Sequence, residues 1–150
     1  MTTLKSKLQE DLTAAIRGRD ELRSSTLRLT LSAITKEEVS GKTARELSDD
    51  EVLVVLKREA KKRREAATAF GDAGRTELAA KERAEEEILA TYLPAQLSDD
   101  ELAATVREAL AAAGLSGMSG IGPAMKAAQA AVAGRAEGGR VAAEVRRQLG

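Results

Sequence analysis

The most concentrated charge in the sequence is Lys57-Arg58-Glu59-Ala60-Lys61-Lys62-Arg63-Arg64. At about 100° per residue, Lys57, Lys61 and Arg64 share a narrow arc of a helix, and Arg58 and Lys62 lie beside it. Val52, Val55, Leu56, Ala67 and Phe70 take the opposite side. Five cations on one outer face suit a phosphate backbone, because like charges in a row repel unless a polyanion or salt compensates them. The same row also fits an ordinary solvated face lightly paired with Glu51, Glu59 and Glu65, since basic helix faces carry little specificity. Phe70 and Tyr92 are the whole aromatic inventory. Reading single-stranded bases by stacking is therefore not expected, whereas recognition of folded RNA by shape and backbone needs no aromatic row.

Arg63 falls on the other side of that wheel, among the apolar residues, with Glu59 one turn earlier. Further along, Glu82 and Glu85 interrupt the stripe of Leu78, Leu89 and Tyr92. Charge within two apolar stripes suggests an ion pair between neighbouring helices, Arg63 meeting Glu82 or Glu85. Such a pair must offset its own desolvation with good geometry; the alternative is that these side chains snorkel outward. Clustered carboxylates could in principle hold a divalent cation or act as acid and base. Nothing in the sequence supplies a nucleophile, a phosphate-cradling loop or a third ligand motif. The chain has no Cys and no His, which removes thiolate nucleophiles, the usual zinc sites and imidazole bases. No catalytic residue, metal or cofactor is expected. The stretch Gly117-Met118-Ser119-Gly120-Ile121-Gly122 lacks the preceding strand and the Gly-Lys-Ser/Thr ending of a phosphate loop. It reads as a loop into a helix, with Met118, Ile121 and Met125 packing the small lobe or lining a contact surface.

These residues must be positioned by helices. Hydrophobic residues make up 43% of the 150 and aromatics only 1%, so the core is Leu, Val, Ile and Ala, which favours close helix packing over a β-sandwich. The helical period recurs along the chain. Leu4, Leu8, Leu12 and Ala15/Ile16 form a first stripe ending near Gly18. A second helix, about Asp20 to Val39, has Leu27, Leu31 and Ile34 on one side and Leu22, Leu29 and Ala33 on another, the pattern of a central helix. Ser48-Asp49-Asp50-Glu51 and Ser98-Asp99-Asp100-Glu101 are capping boxes that open a third helix, to about Phe70, and a fifth. Gly71 to Gly74 makes a turn, and the fourth helix stops at Pro94. Gly114 to Gly122 is a loop, and two short helices follow, separated by Gly134 and Gly138-Gly139. The expectation is all-α: a four-helix N-terminal lobe over 1–95 and a three-helix C-terminal lobe over 96–150. Basic and acidic residues number 24 each, so any polyanion surface is a local patch. The start carries no apolar run after its charges, and no stretch approaches the roughly 18 residues of a membrane span. A soluble, cytoplasmic protein without membrane contact is expected.

Thr26-Leu27-Arg28 with Ala33-Ile34, Arg63-Arg64 followed by Phe70, Gly74-Arg75 and Leu78, then Glu82, Glu86 and Tyr92-Leu93-Pro94, resemble the GatB/YqeY family pattern. Met125 after Gly-Ile-Gly, Gly134-Arg135-Ala136 and Val145 continue it, so the resemblance covers essentially the whole chain. The chain departs at Glu137, where the pattern carries Asp, and at Ala128, in a stretch the family often makes more basic. The resemblance implies the multihelical fold of that family. The family's module also forms the C-terminal helical and tail region of the B subunit of the glutamine-dependent tRNA amidotransferase, where it helps hold tRNA. The implied partners are tRNA or another folded RNA, and amidotransferase subunits. A family label of carbon–nitrogen ligase with glutamine as amido-N-donor would be inherited from the larger relative, whose chemistry lies in a separate domain. By match to the pattern, Arg28 and Arg75 join Lys57, Arg58, Lys61, Lys62 and Arg64 as RNA-contact candidates, and Tyr92 is expected to pack between the lobes. A helical protein-interaction module with no nucleic acid is the other reading.

Overall fold

The computed structural model describes residues 3–117 and 120–150; Met118 and Ser119 of the glycine-rich stretch lie outside the described residues. Seven α-helices and no strand occur among those described: α1 Leu4–Arg17, α2 Glu21–Glu38, α3 Asp49–Asp72, α4 Thr76–Ala90, α5 Asp99–Ala113, α6 Ile121–Val132 and α7 Gly138–Leu149. They divide into two compact units, Met1–Leu93 and Pro94–Gly150.

In the first unit, Leu8 of α1, Leu27 and Ile34 of α2, Val52, Val55, Leu56 and Ala60 of α3, and Ile88 and Leu89 of α4 close around one aliphatic core. α2 is less central than its two apolar stripes imply. Leu29 is 52% exposed, and the buried face carries Thr26 and Thr30 beside Leu27 and Ile34. Each threonine hydroxyl donates to the carbonyl four residues back, Thr26 to Leu22 and Thr30 to Thr26, both at 2.8 Å. With its donor satisfied inside its own helix, a threonine buries much as a valine does. Ile16 and Leu78, assigned above to apolar stripes, are also exposed, and Ala15 and Ala79 turn inward instead.

α3 extends to Asp72, and Arg75 N donates back to the Phe70 carbonyl at 2.8 Å to close it. Gly74 takes φ +75° in that turn, a conformation in which a Cβ is strained. So short a connection makes α3 and α4 an antiparallel hairpin. α4 ends at Ala90, before Pro94; Thr91, Tyr92 and Leu93 follow as a tighter turn with each N–H bonding three residues back.

The second unit packs Leu102, Val106 and Leu110 of α5, Ala124, Ala128 and Val132 of α6, and Val141 and Val145 of α7. Gly138 and Gly139 do not separate helices but form the start of α7, where the first N–H groups have no intrahelical partner in any case. Leu97 N donates to the Arg135 carbonyl at 2.7 Å, and the Arg140 guanidinium donates to the Leu97 carbonyl at 3.0 Å.

Both Ser-Asp-Asp-Glu sequences form reciprocal capping boxes. At α3, Glu51 N donates to Ser48 Oγ and Ser48 N to Glu51 Oε1, and the Arg45 guanidinium grips the same carboxylate at 2.5 Å. Ser48→Ala should lower stability by about 1 kcal/mol, read by chemical denaturation. Arg45, then the Ser48 amide, hold the Glu51 carboxyl down to about 2 from an ordinary 4.5. A depressed carboxyl stabilises the fold above its unfolded value and loses that effect as pH falls through its folded value. Glu51→Gln should therefore destabilise at pH 7, and the gap from the parent should close between pH 4.5 and about 2.

Candidate nucleic-acid interface

The hairpin decides which charges of α3 reach water. Val52, Val55, Leu56, Ala60 and Ala67 turn inward, together with Glu59 and Arg63. Lys57, Arg58, Lys61, Lys62 and Arg64 are all exposed. Three of these cations meet carboxylates of known position. Arg58 lies 3.6 Å from Glu37 of α2, Arg64 Nε donates to Glu86 of α4 at 3.0 Å, and Lys62 lies 3.1 Å from Glu59 on its own helix. Among the described residues Lys57 forms no ion pair. Arg28 is exposed on α2, where nine residues at 1.5 Å each place it about 13 Å along the axis from Glu37. Arg75 is the exposed N-cap of α4 at the hairpin's turn and makes no side-chain cap bond. The structure thus gathers five candidates on one helix and places Arg28 and Arg75 on other elements.

Arg63 sits between the two helices, 9% exposed. Its Nη1 is 3.4 Å from Glu59 and its Nε is 3.6 Å from Glu85 of α4. The geometry is loose: Arg63 Nε and Glu59 Oε2 have no hydrogen-bond partner, and Lys62 approaches that oxygen as a charge rather than along a hydrogen bond. Glu82 is half-buried nearby. Burial first, then the charge of Glu82, push the Glu85 carboxyl above its ordinary value despite the pull of Arg63. Removing Arg63 leaves Glu85 buried without its ion-pair partner and Glu59 with Lys62 alone, and Arg63→Ala should cost about 3–5 kcal/mol at pH 7. In that variant Glu85 rises further. A carboxyl raised on folding destabilises once ionised, so the deficit should shrink as pH falls through its folded value. Denaturation of parent and variant at pH 5 and pH 7 checks this.

Tyr92 packs against the core of the first unit, and its hydroxyl donates to Asp11 at 2.5 Å. Burial and Asp11 both push the phenol up. Asp11 also lines a shallow depression of about 420 Å³ with Ala14, Ala15, Gly18, Asp20 and Arg23. Its charged groups are engaged already: Asp11 with Tyr92 and Lys7, and Asp20 with the Arg23 amide and guanidinium. Sequence reasoning missed Asp11, Glu37 and the buried Glu38, which receives Lys5 at 2.8 Å and the Leu47 amide at 3.2 Å. Glu38 had a signal, since it lies one turn beyond Ile34 on the buried stripe. No group of three or more carboxylates close enough to hold a metal occurs among the described residues, and none of their helices is long and apolar enough to cross a membrane.

Seven helices without a strand among the described residues, in two aliphatic-cored units, define an all-α multihelical protein. Its sequence matches the family model for YqeY-like proteins over residues 5–149, and the chain belongs to that family. A comparison with curated proteins finds no match.

Proposed function

We propose that this protein is an accessory module that binds tRNA or another folded RNA, with the exposed face of α3 on the phosphate backbone, and that it performs no chemistry alone. The carrying observation is the set of five exposed cations, Lys57, Arg58, Lys61, Lys62 and Arg64, on one helix. Phosphate contacts position a nucleic acid without reading its bases. With Tyr92 turned onto Asp11, base stacking has no support on this unit beyond the half-buried Phe70. The resemblance to the tRNA-holding region of the amidotransferase B subunit agrees with this reading and makes amidotransferase subunits candidate partners. The isolated chain should yield no glutamine-dependent amidation. A cytoplasmic setting follows from the proposed partners.

Binding to tRNA should weaken steeply with salt, with log K falling by about 0.7–0.9 per log unit of salt for each phosphate contact. Changing Lys57, Lys61 and Arg64 together to Ala should reduce affinity at least tenfold at low salt and flatten that slope, while the thermal midpoint stays nearly unchanged. Unaltered binding would make the row solvated surface. The exposed Leu29, Val39 and Val54 favour the second reading, a helical protein-interaction module, and that result would leave it standing.

A further inference from the structure

The cations of α3 are bracketed by acids from both flanking helices. Glu37 of α2 reaches Arg58 on one side, and Glu86 of α4 reaches Arg64 on the other. Both pairs are partly open to water: Arg58 and Glu37 are 48% and 43% exposed, Arg64 and Glu86 46% and 27%. Lys62 differs, because its partner Glu59 is buried and fixed by packing. Lys57 has no ion pair among the described residues. A phosphate approaching Arg58 or Arg64 therefore meets a guanidinium whose charge a carboxylate has already neutralised.

We propose that Glu37 and Glu86 are built-in competitors for the polyanion, an autoinhibitory pair of clamps that RNA must displace from Arg58 and Arg64. This rests on the RNA-binding reading of the same face and adds its regulation. The energetics allow it. Exposed ion pairs are worth about 0–1 kcal/mol, so each clamp is releasable and each can weaken binding by up to about fivefold. A closely spaced row of phosphates can outcompete both clamps together. An isolated carboxylate on an acidic protein surface, no stronger than Glu37 or Glu86 themselves, cannot. The clamps thereby select for charge density, a discrimination that a bare basic row lacks.

The test measures tRNA affinity of the full chain at low salt for Glu37→Gln, Glu86→Gln and the double variant. Glu87→Gln and Glu10→Gln serve as controls. Glu87 is an exposed neighbour of Glu86, and Glu10 is exposed on α1. Neither control residue forms an ion pair among the described residues. Each clamp variant should tighten binding by about twofold to fivefold, the double variant should combine the gains, and the controls should change little. All variants should keep the parent's helical circular dichroism. Unchanged affinity in the clamp variants, with a normal salt slope in the parent, overturns the clamps and leaves the RNA reading intact. Tightening by Glu87→Gln equal to that by Glu86→Gln also overturns them, because bulk charge would then account for the effect. Absence of binding by every form, the double variant included, overturns both proposals.

Discussion

Arg63 is a charge held inside the hairpin of α3 and α4, and the disposition of the outer face follows from it. A guanidinium that is 9% exposed is tolerated only where carboxylates compensate it. Glu59 binds it from the preceding turn, and Glu85 binds it from the opposite helix. The second contact sets the register between the helices. Moving α4 by one turn along α3, about 5.4 Å, would carry Glu85 out of reach and leave a buried cation half compensated. With that register fixed, Glu86 falls beside Arg64, and the remaining cations of α3 have no direction left but outward.

The arrangement is not optimised for stability alone. Both contacts to Arg63 are long, two buried polar atoms lack hydrogen bonds, and the Glu85 carboxyl is pushed up by burial and by Glu82. Well-packed hydrophobic side chains of similar volume would hold two helices together at no desolvation cost. A buried ionic contact adds directionality, since an aliphatic interface slides more readily than an ion pair. On the proposed RNA-binding reading, a hairpin that presents cations on its outer face gains more from a defined register than from extra stability.

Much of this was legible in the sequence because it is local. The Ser48 and Ser98 capping boxes, the aliphatic period of α3 and the position of Arg63 on the apolar side of its wheel all depend on residues within a few turns. Family and fold class were legible from short motifs in order. What was not legible is whatever spans two helices. The contacts of Arg58 with Glu37 and of Arg64 with Glu86 join residues more than 20 positions apart, and a wheel describes one helix only. Leu29 is a related case: its apolar side chain marks a second stripe on α2, but no other helix of the first unit buries it among the described residues. Thr26 and Thr30 are not marked as core residues by the apolar pattern because hydroxyls look polar, although a bond within the helix lets them bury.

Depth separates the two kinds of ion pair on α3 more than distance does. The 3.0 Å contact between Arg64 and Glu86 is shorter than either contact of Arg63. It is nevertheless the weaker constraint, because water and salt screen an exposed pair and compete for both partners. The longer Arg63 contacts are buried, where water and salt compete far less for either ion. Lys62 shows the boundary between these cases, with its ammonium in water and its partner Glu59 anchored inside. One helix thus carries a charge that holds the structure, charges whose partners can be exchanged, and a lysine tethered to the interior. An incoming polyanion would meet the last two, together with the exposed Lys57 and Lys61.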